Sequence, residues 1–453
     1  MNPAYPGSIM RATLENCSVG TKYFVFRWIL FGLPISPKEL KVDQFAKVLT
    51  LKRSLTGKAL NELEANGYLS VELHFSGARG RPKRIYRITE KLGSIAWAEV
   101  KIYFPNLIED LLTTDLKSAA GTRRHELKLP ARVLLAVLLS YADEGGVVQS
   151  AGTAFLAEKV GVSNESIRNN IAKLKELGYI RQVCPGISSK KLIGTVGSAF
   201  VLNLGHSRWR EAAVRSHLWL IDAAIPGNFP LTFEAYSVVN LARKSRTTYQ
   251  PELARLQNSL NQLAPDFEIA DLREIRDSLM EDRPFRIADR LQFELEMAAS
   301  AILTQHRADL GAGTLVYYLE IVNTHVKSKI VPQALFENRN RACNLLIDLM
   351  YQIAWLIAAN TLTLIKTQLF GGSTGKLLMH HPVSVQNPNT GLRGCRCFAV
   401  ELINDGAEYS TGTQIRLAKE PHGSLTVIDS VPLDPRELDD VTLQRFALGA
   451  RPI

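Results

Sequence analysis

Three asparagines, an arginine and a serine crowd seven residues of this chain: Asn164, Ser166, Arg168, Asn169 and Asn170. Arginine can donate two hydrogen bonds to a guanine edge, and asparagine can pair with adenine through its amide. Asparagine is also a poor helix former, so three on one helix surface need a reason beyond solvation. A second group, Lys52, Arg53, Ser54, Thr56, Gly57, Lys58 and Asn61, is expected on the outer face of another helix. A third, Arg79, Arg81, Lys83 and Arg84, sets four cations in six residues around Gly80 and Pro82. A narrow, rigid, positive tip of that kind suits a narrow groove with concentrated negative potential. Lys190 and Lys191 form a smaller basic pair. The chemistry these residues offer is non-covalent: base-edge hydrogen bonding and phosphate neutralisation.

Catalytic patterns are weaker. Gly371-Gly372-Ser373-Thr374-Gly375-Lys376 invites a phosphate-loop reading, but Phe370 stands where the first glycine is needed and Leu377 replaces Ser or Thr. A hinge is the better reading. His380, His381, Cys395 and Cys397 match structural zinc spacing poorly. Cys395 and Cys397 at alternate positions suit one face of a strand. Asp and Glu between 266 and 296 form no paired-carboxylate or metal pattern, and no Ser/His/Asp signature stands out. The expectation is a binding protein, not an enzyme, with no metal and no cofactor.

The first two polar groups are positioned by a repeat. Residues 45–69 and 156–180 align without a gap at an offset of 111 residues. Ala46 meets Ala157, Leu63 meets Leu174, Gly67 meets Gly178 and Tyr68 meets Tyr179. Phe45/Leu156, Leu49/Val160, Leu51/Val162, Leu60/Ile171 and Leu69/Ile180 stay apolar. Each copy reads as a short helix, a turn, a longer helix, a glycine stop and a strand. Ile167, Ile171 and Leu174 make one apolar face of the longer helix, with Ser163 as its N-cap. In the first copy Lys52 replaces that cap, and Gly57 lies within the helix at a cost of about 1 kcal/mol against Ala. The loop 76–83 between strands 68–75 and 84–89 is a β-hairpin tip, a wing.

Charge follows the repeat. Residues 1–200 carry 28 Lys and Arg against 17 Asp and Glu; the remainder carries 26 against 27. The whole net charge of +10 therefore resides with the repeat, which favours encounter with a polyanion. Five cysteines, an odd number, do not suggest a disulfide scaffold. Cys17, Cys184 and Cys343 read as buried small apolar residues. Asp348, Gln352 and Asn360 interrupt the apolar run Leu345–Ile365, so a core helix or oligomer interface fits it better than a membrane span. A cytoplasmic, nucleoid-associated protein is expected.

The expected fold class is mainly α (α+β): two winged-helix domains, a helical bundle-like domain and a small terminal β element. The boundaries read as an N-terminal arm at 1–20, the first winged helix at 21–100 and a helical connector at 101–128. The second winged helix follows at 129–207, a helical domain for oligomerisation, effector or partner at 210–370, and a β-rich element at 371–453. Helices are expected over 22–33, 42–49, 53–66, 131–141, 153–160 and 164–177.

Leu60–Thr89, with Gly67-Tyr68-Leu69 and the run Gly80-Arg81-Pro82-Lys83-Arg84-Ile85-Tyr86, resembles MarR- and PadR-type winged helices. Residues 153–204 are similar to the same superfamily. The resemblance implies double-stranded DNA as partner, with Arg53, Lys58, Arg81, Asn164, Arg168 and Asn169 at contacting positions. Two such units on one chain depart from those families; tandem winged helices of similar spacing also resemble plasmid replication initiators. The expectations are a transcriptional regulator, alternatively a replication initiator or maintenance protein, alternatively a winged-helix assembly factor with a protein partner. The C-terminal helical domain is expected to make a homodimer or higher oligomer.

Overall fold

The computed structural model describes residues 7–31, 42–74, 83–96, 98, 100–113, 127–188, 194–206, 209, 216–222, 231–232, 234–280, 284–312, 315–330, 341–366, 376–380, 385–386, 393–395, 397–403, 411–419 and 425–433. They are mainly helical with small sheets, an α+β architecture. The chain divides into two units: Met1–Ile180 with Val201–Ala213, and Arg181–Phe200 with Val214–Arg451.

The first unit runs α1 (Ser8–Arg11), α2 (Val19–Leu30), α3 (Val42–Val48) and α4 (Arg53–Ala65). The antiparallel pair β1 (Leu69–His74) and β2 (Lys83–Ile88) follows, then α5 (Glu90–Ala96), α6 (Pro105–Thr113) and α7 (Leu129–Tyr141). The two-residue strand β3 (Val147–Val148) precedes α8 (Thr153–Val160) and α9 (Asn164–Glu176). Every residue of α7 from Ala131 to Ser140 is buried, which explains its nearly continuous apolar sequence. Phe24, Trp28, Phe45 and Tyr86 form an aromatic cluster joining α2, α3 and β2, with edge contacts at 5.3–5.9 Å.

Residues 7–20 do not form an arm. Ile9, Met10 and Leu14 are buried, and Lys22 Nζ reaches the carbonyls of Met10 (3.1 Å), Ala12 (2.7 Å) and Lys159 (2.5 Å). The segment lacks periodicity because side-chain donors on other elements hold it, not its own helix. Three helix ends in this unit, those of α7, α3 and α6, are closed by cations in the same way. Arg11 Nε donates to Ser140 O at 2.5 Å, Arg27 to Leu49 O at 3.0 Å, and Arg132 Nε to Leu111 O at 2.7 Å. Cations there meet the negative end of the helix macrodipole and the carbonyls left over in the last turn.

The second unit begins within β4 (Ile180–Cys184) and contains β5 (Ile187–Ser188) and β6 (Thr195–Val196). β7 (Ala199–Leu202) lies between β3 and β4 in a three-stranded sheet. β8 (Ser216–Asp222) falls where helical periodicity was expected. It lies inside a five-stranded sheet, between β13 (Cys397–Ile403), antiparallel to it, and β14 (Thr411–Lys419), parallel to it. β10 (Lys376–His380) and β15 (Leu425–Leu433) are the edges. A strand buried in the middle of a sheet carries no clean alternation, so Leu218-Trp219-Leu220-Ile221 cannot be told from a short apolar helix by pattern.

β9 (Leu231–Thr232), β11 (Val385–Gln386) and β12 (Arg393–Cys395) make a separate small sheet. Cys395 and Cys397 therefore belong to different sheets instead of one strand face. Helices α10 (Glu234–Lys244), α11 (Gln250–Asn261), α12 (Ile269–Leu279), α13 (Pro284–Gln305) and the long helix Arg341–Ile365 share one core with Trp219, Leu377, Val400 and Ile415 of the sheet. Among the described residues Arg341–Ile365 alone is long and apolar enough to cross a membrane, and 61% of its apolar window is buried.

Candidate nucleic-acid interface

The turn between α8 and α9 is set by Gly161, at φ +78, where the backbone is left-handed. Gly161 N and Val162 N both donate to Ala157 O, at 2.9 and 3.1 Å. Ser163 is extended (φ −71, ψ 157) and its hydroxyl accepts from Ser166 N at 3.2 Å, capping α9. Ile167 and Leu174 are fully buried, anchoring one face. The other face carries Asn164, Glu165, Arg168 and Asn169, all exposed. Gly178, at φ +78, closes the helix, with Tyr179 N donating to Leu174 O at 2.9 Å.

Residues 125–180 match the family model of a helix-turn-helix domain. This stretch folds as a helix-turn-helix, with α8 and α9 as its helix pair. No curated protein and no solved structure matches the chain.

The first copy repeats the backbone bonds of the second at the same offset. Leu51 N donates to Ala46 O at 2.8 Å, as Val162 does to Ala157. Tyr68 N donates to Leu63 O at 2.8 Å, as Tyr179 does to Leu174. Gly67 is left-handed at φ +72, as Gly178 is. Even the return strand agrees: Thr89 Oγ1 donates to Gly67 O at 2.8 Å and Asn203 Nδ2 to Gly178 O at 3.0 Å. One substitution differs in kind. Thr50, at φ +55, occupies the left-handed position that Gly161 fills in the second copy.

On α4, Lys52, Arg53, Ser54, Lys58 and Asn61 are exposed. Arg53 Nε sits 2.7 Å from Asp43, and Lys58 Nζ 3.6 Å from Glu62. Lys52 makes no side-chain cap. Thr56 is not on the outer face: it is fully buried, its hydroxyl donating to Lys52 O at 3.2 Å. A Cβ on Gly57 would meet only Val42 Cγ1, at 3.8 Å, so internal packing does not demand glycine there. Glu62 has an internal role. Burial alone would raise its pKa, but hydrogen bonds from Thr21 and from Ser18 outweigh this and lower it.

The polar cluster of α9 divides in two. Asn170 turns back on its own helix, Nδ2 donating to Ser166 O at 2.7 Å and lying 3.2 Å from Ser166 Oγ. Ser166 and Asn170 thus satisfy each other, while Asn164, Arg168 and Asn169 face solvent.

Of the first hairpin's cations, Arg79 and Arg81 lie outside the described residues, and residue 83 is described only as the first position of β2. Arg84 is exposed and 3.6 Å from Glu64. Sequence reading passed over Arg87, exposed on the same strand and 2.8 Å from Glu72. Its alternation with residues 83 and 85 was the available signal. Lys190 and Lys191 lie outside the described residues.

The basic excess is partly spent inside. Lys22, Arg27 and Arg132 are buried in the first unit. Arg181 is buried in the second, forming a bidentate pair with Glu401, one bond at 3.1 Å. Those charges cannot touch phosphate. Cys17 and Cys184 are no thiolate chemistry either: burial pushes their thiols up to about 11 and about 12.

Proposed function

We propose that the protein is a sequence-specific double-stranded-DNA-binding transcriptional regulator that engages DNA with two winged helices. The supporting observation is α9: capped, anchored on its apolar face, and presenting Asn164, Arg168 and Asn169 to solvent within a stretch that matches a helix-turn-helix domain. The first copy joins the reading because its turn and helix-stop hydrogen bonds duplicate those of the second. In this reading α9 reads base edges in the major groove, and the basic hairpin 79–84 anchors in an adjacent minor groove. The C-terminal unit oligomerises or binds an effector or partner.

Filter binding of the full chain tests it. Affinity for duplex DNA falls steeply with salt, and replacing Arg168 or Asn169 by Ala costs about 1–3 kcal/mol on the preferred site and relaxes sequence choice. Salt-insensitive or absent binding rejects the proposal. A replication initiator is the second reading, favoured by two helix-turn-helix copies on one chain. Direct repeats beside a melted A·T-rich tract in a footprint support initiation; an inverted repeat over a promoter supports regulation.

A further inference from the structure

The second unit carries a basic tip that the helix-turn-helix reading does not use. No acid lies between Glu234 and Glu252 in the sequence, while Arg243, Lys244 and Arg246 fall at the end of α10 and just beyond it. All three are exposed, and Tyr249 beside them is 67% exposed. The loop is well built. Ser245 N donates to Leu241 O at 2.9 Å, Thr247 N to Lys244 O at 3.1 Å, and Tyr249 N to Thr247 Oγ1 at 3.3 Å.

Arg273 of α12, itself exposed, adds a fourth cation, donating to Ser245 O at 2.5 Å and Thr247 O at 2.8 Å. The nearest acids in sequence to Arg273 are held by Arg341, Asp271 at 3.1 Å and Glu274 at 3.4 Å. Among the described ion pairs none uses Arg243, Lys244, Arg246 or Arg273. A helix C-terminus accounts for the first two cations. It does not account for Arg246 or for an exposed tyrosine among them, and Arg273, which closes the loop carbonyls, brings its charge to the same place.

We propose that Arg243, Lys244, Arg246 and Arg273, with Tyr249, form a second nucleic-acid contact that tracks the phosphate backbone. Fixed cations neutralise successive phosphates, and an exposed aromatic ring offers a face to an unpaired base. The inference builds on the proposed DNA binding but assigns contact to a unit outside the helix-turn-helix.

The test uses the full chain and the triple variant Arg243→Ala/Lys244→Ala/Arg246→Ala, with binding followed against salt for a duplex and for a single-stranded oligonucleotide. Each lost phosphate contact reduces the log–log salt slope by about 0.9 on duplex or about 0.7 on a single strand. The expected loss is about 2 or more in at least one arm, with an unchanged melting transition. The arm that changes identifies the form of nucleic acid seated there. Wild-type binding with an unaltered slope in both arms overturns this proposal and leaves the helix-turn-helix reading intact. Absence of wild-type binding in both arms overturns both.

Discussion

Thr50 and Gly161 hold the same left-handed turn with different side chains. A β-branched residue at positive φ is strained by about 1 kcal/mol or more, which glycine avoids. Thr50→Gly should therefore raise the denaturation midpoint, by about 1 kcal/mol in stability; no change would mean that Thr50 is compensated by contacts of its own. Gly161→Ala should do the reverse. A Cβ there would stand 2.5 Å from Cys17 O, a backbone atom that cannot swing aside, so a loss of about 2 kcal/mol or more is expected. Lys22 gives a pH signature. Burial, aided by the Lys159 charge, holds its pKa well below 10.5. The folded state then sheds this proton before the unfolded state does. Over the window between the lowered pKa and 10.5, the unfolded chain binds more protons and stability rises with pH. Urea midpoints of wild type and Lys22→Met, compared across that window, should converge on a flatter profile for the variant. Equal profiles would place the Lys22 pKa near its ordinary value.

At the scale of elements, the helix-turn-helix and the segment 45–69 that parallels it were legible because each part announces itself locally. Apolar spacing gives the helices, Ser163 the cap, and Gly67 and Gly178 the stops; α8 begins and ends where the pattern says. What depends on distant partners was hidden. Residues 7–20 are held by cations from elsewhere, and β8 is bound by strands nearly two hundred positions away. Within β4, Arg181, its second residue, is buried against Glu401, 220 positions on. Nothing in the sequence near either residue points to the other. Arg181→Met should cost about 3–5 kcal/mol, because it strands a buried carboxylate. The double variant Arg181→Met/Glu401→Leu should recover most of that loss in denaturant melts. If the double variant is as unstable as the single, the pair is not acting as a unit.

For the whole molecule, the net charge of residues 1–200 overstates what can meet DNA, since Lys22, Arg27, Arg132 and Arg181 are buried. The candidate site is consequently narrower than composition suggests: Asn164, Arg168 and Asn169 on α9, the outer residues of α4, and the first hairpin. Occupancy of one duplex by both copies makes a geometric demand. Each recognition helix takes one major-groove half-site, and successive half-sites on one face are about 10 base pairs apart. Footprinting of the full chain should therefore show about 20 protected base pairs. Lys52→Glu/Arg53→Glu/Lys58→Glu, which reverses charge on the exposed face of α4, should erase about half of that protection and leave the α9 half-site in place. An unchanged footprint would remove the first copy from DNA and turn its exposed helix into a protein-contact surface, since α9 would then account for all of the recognition.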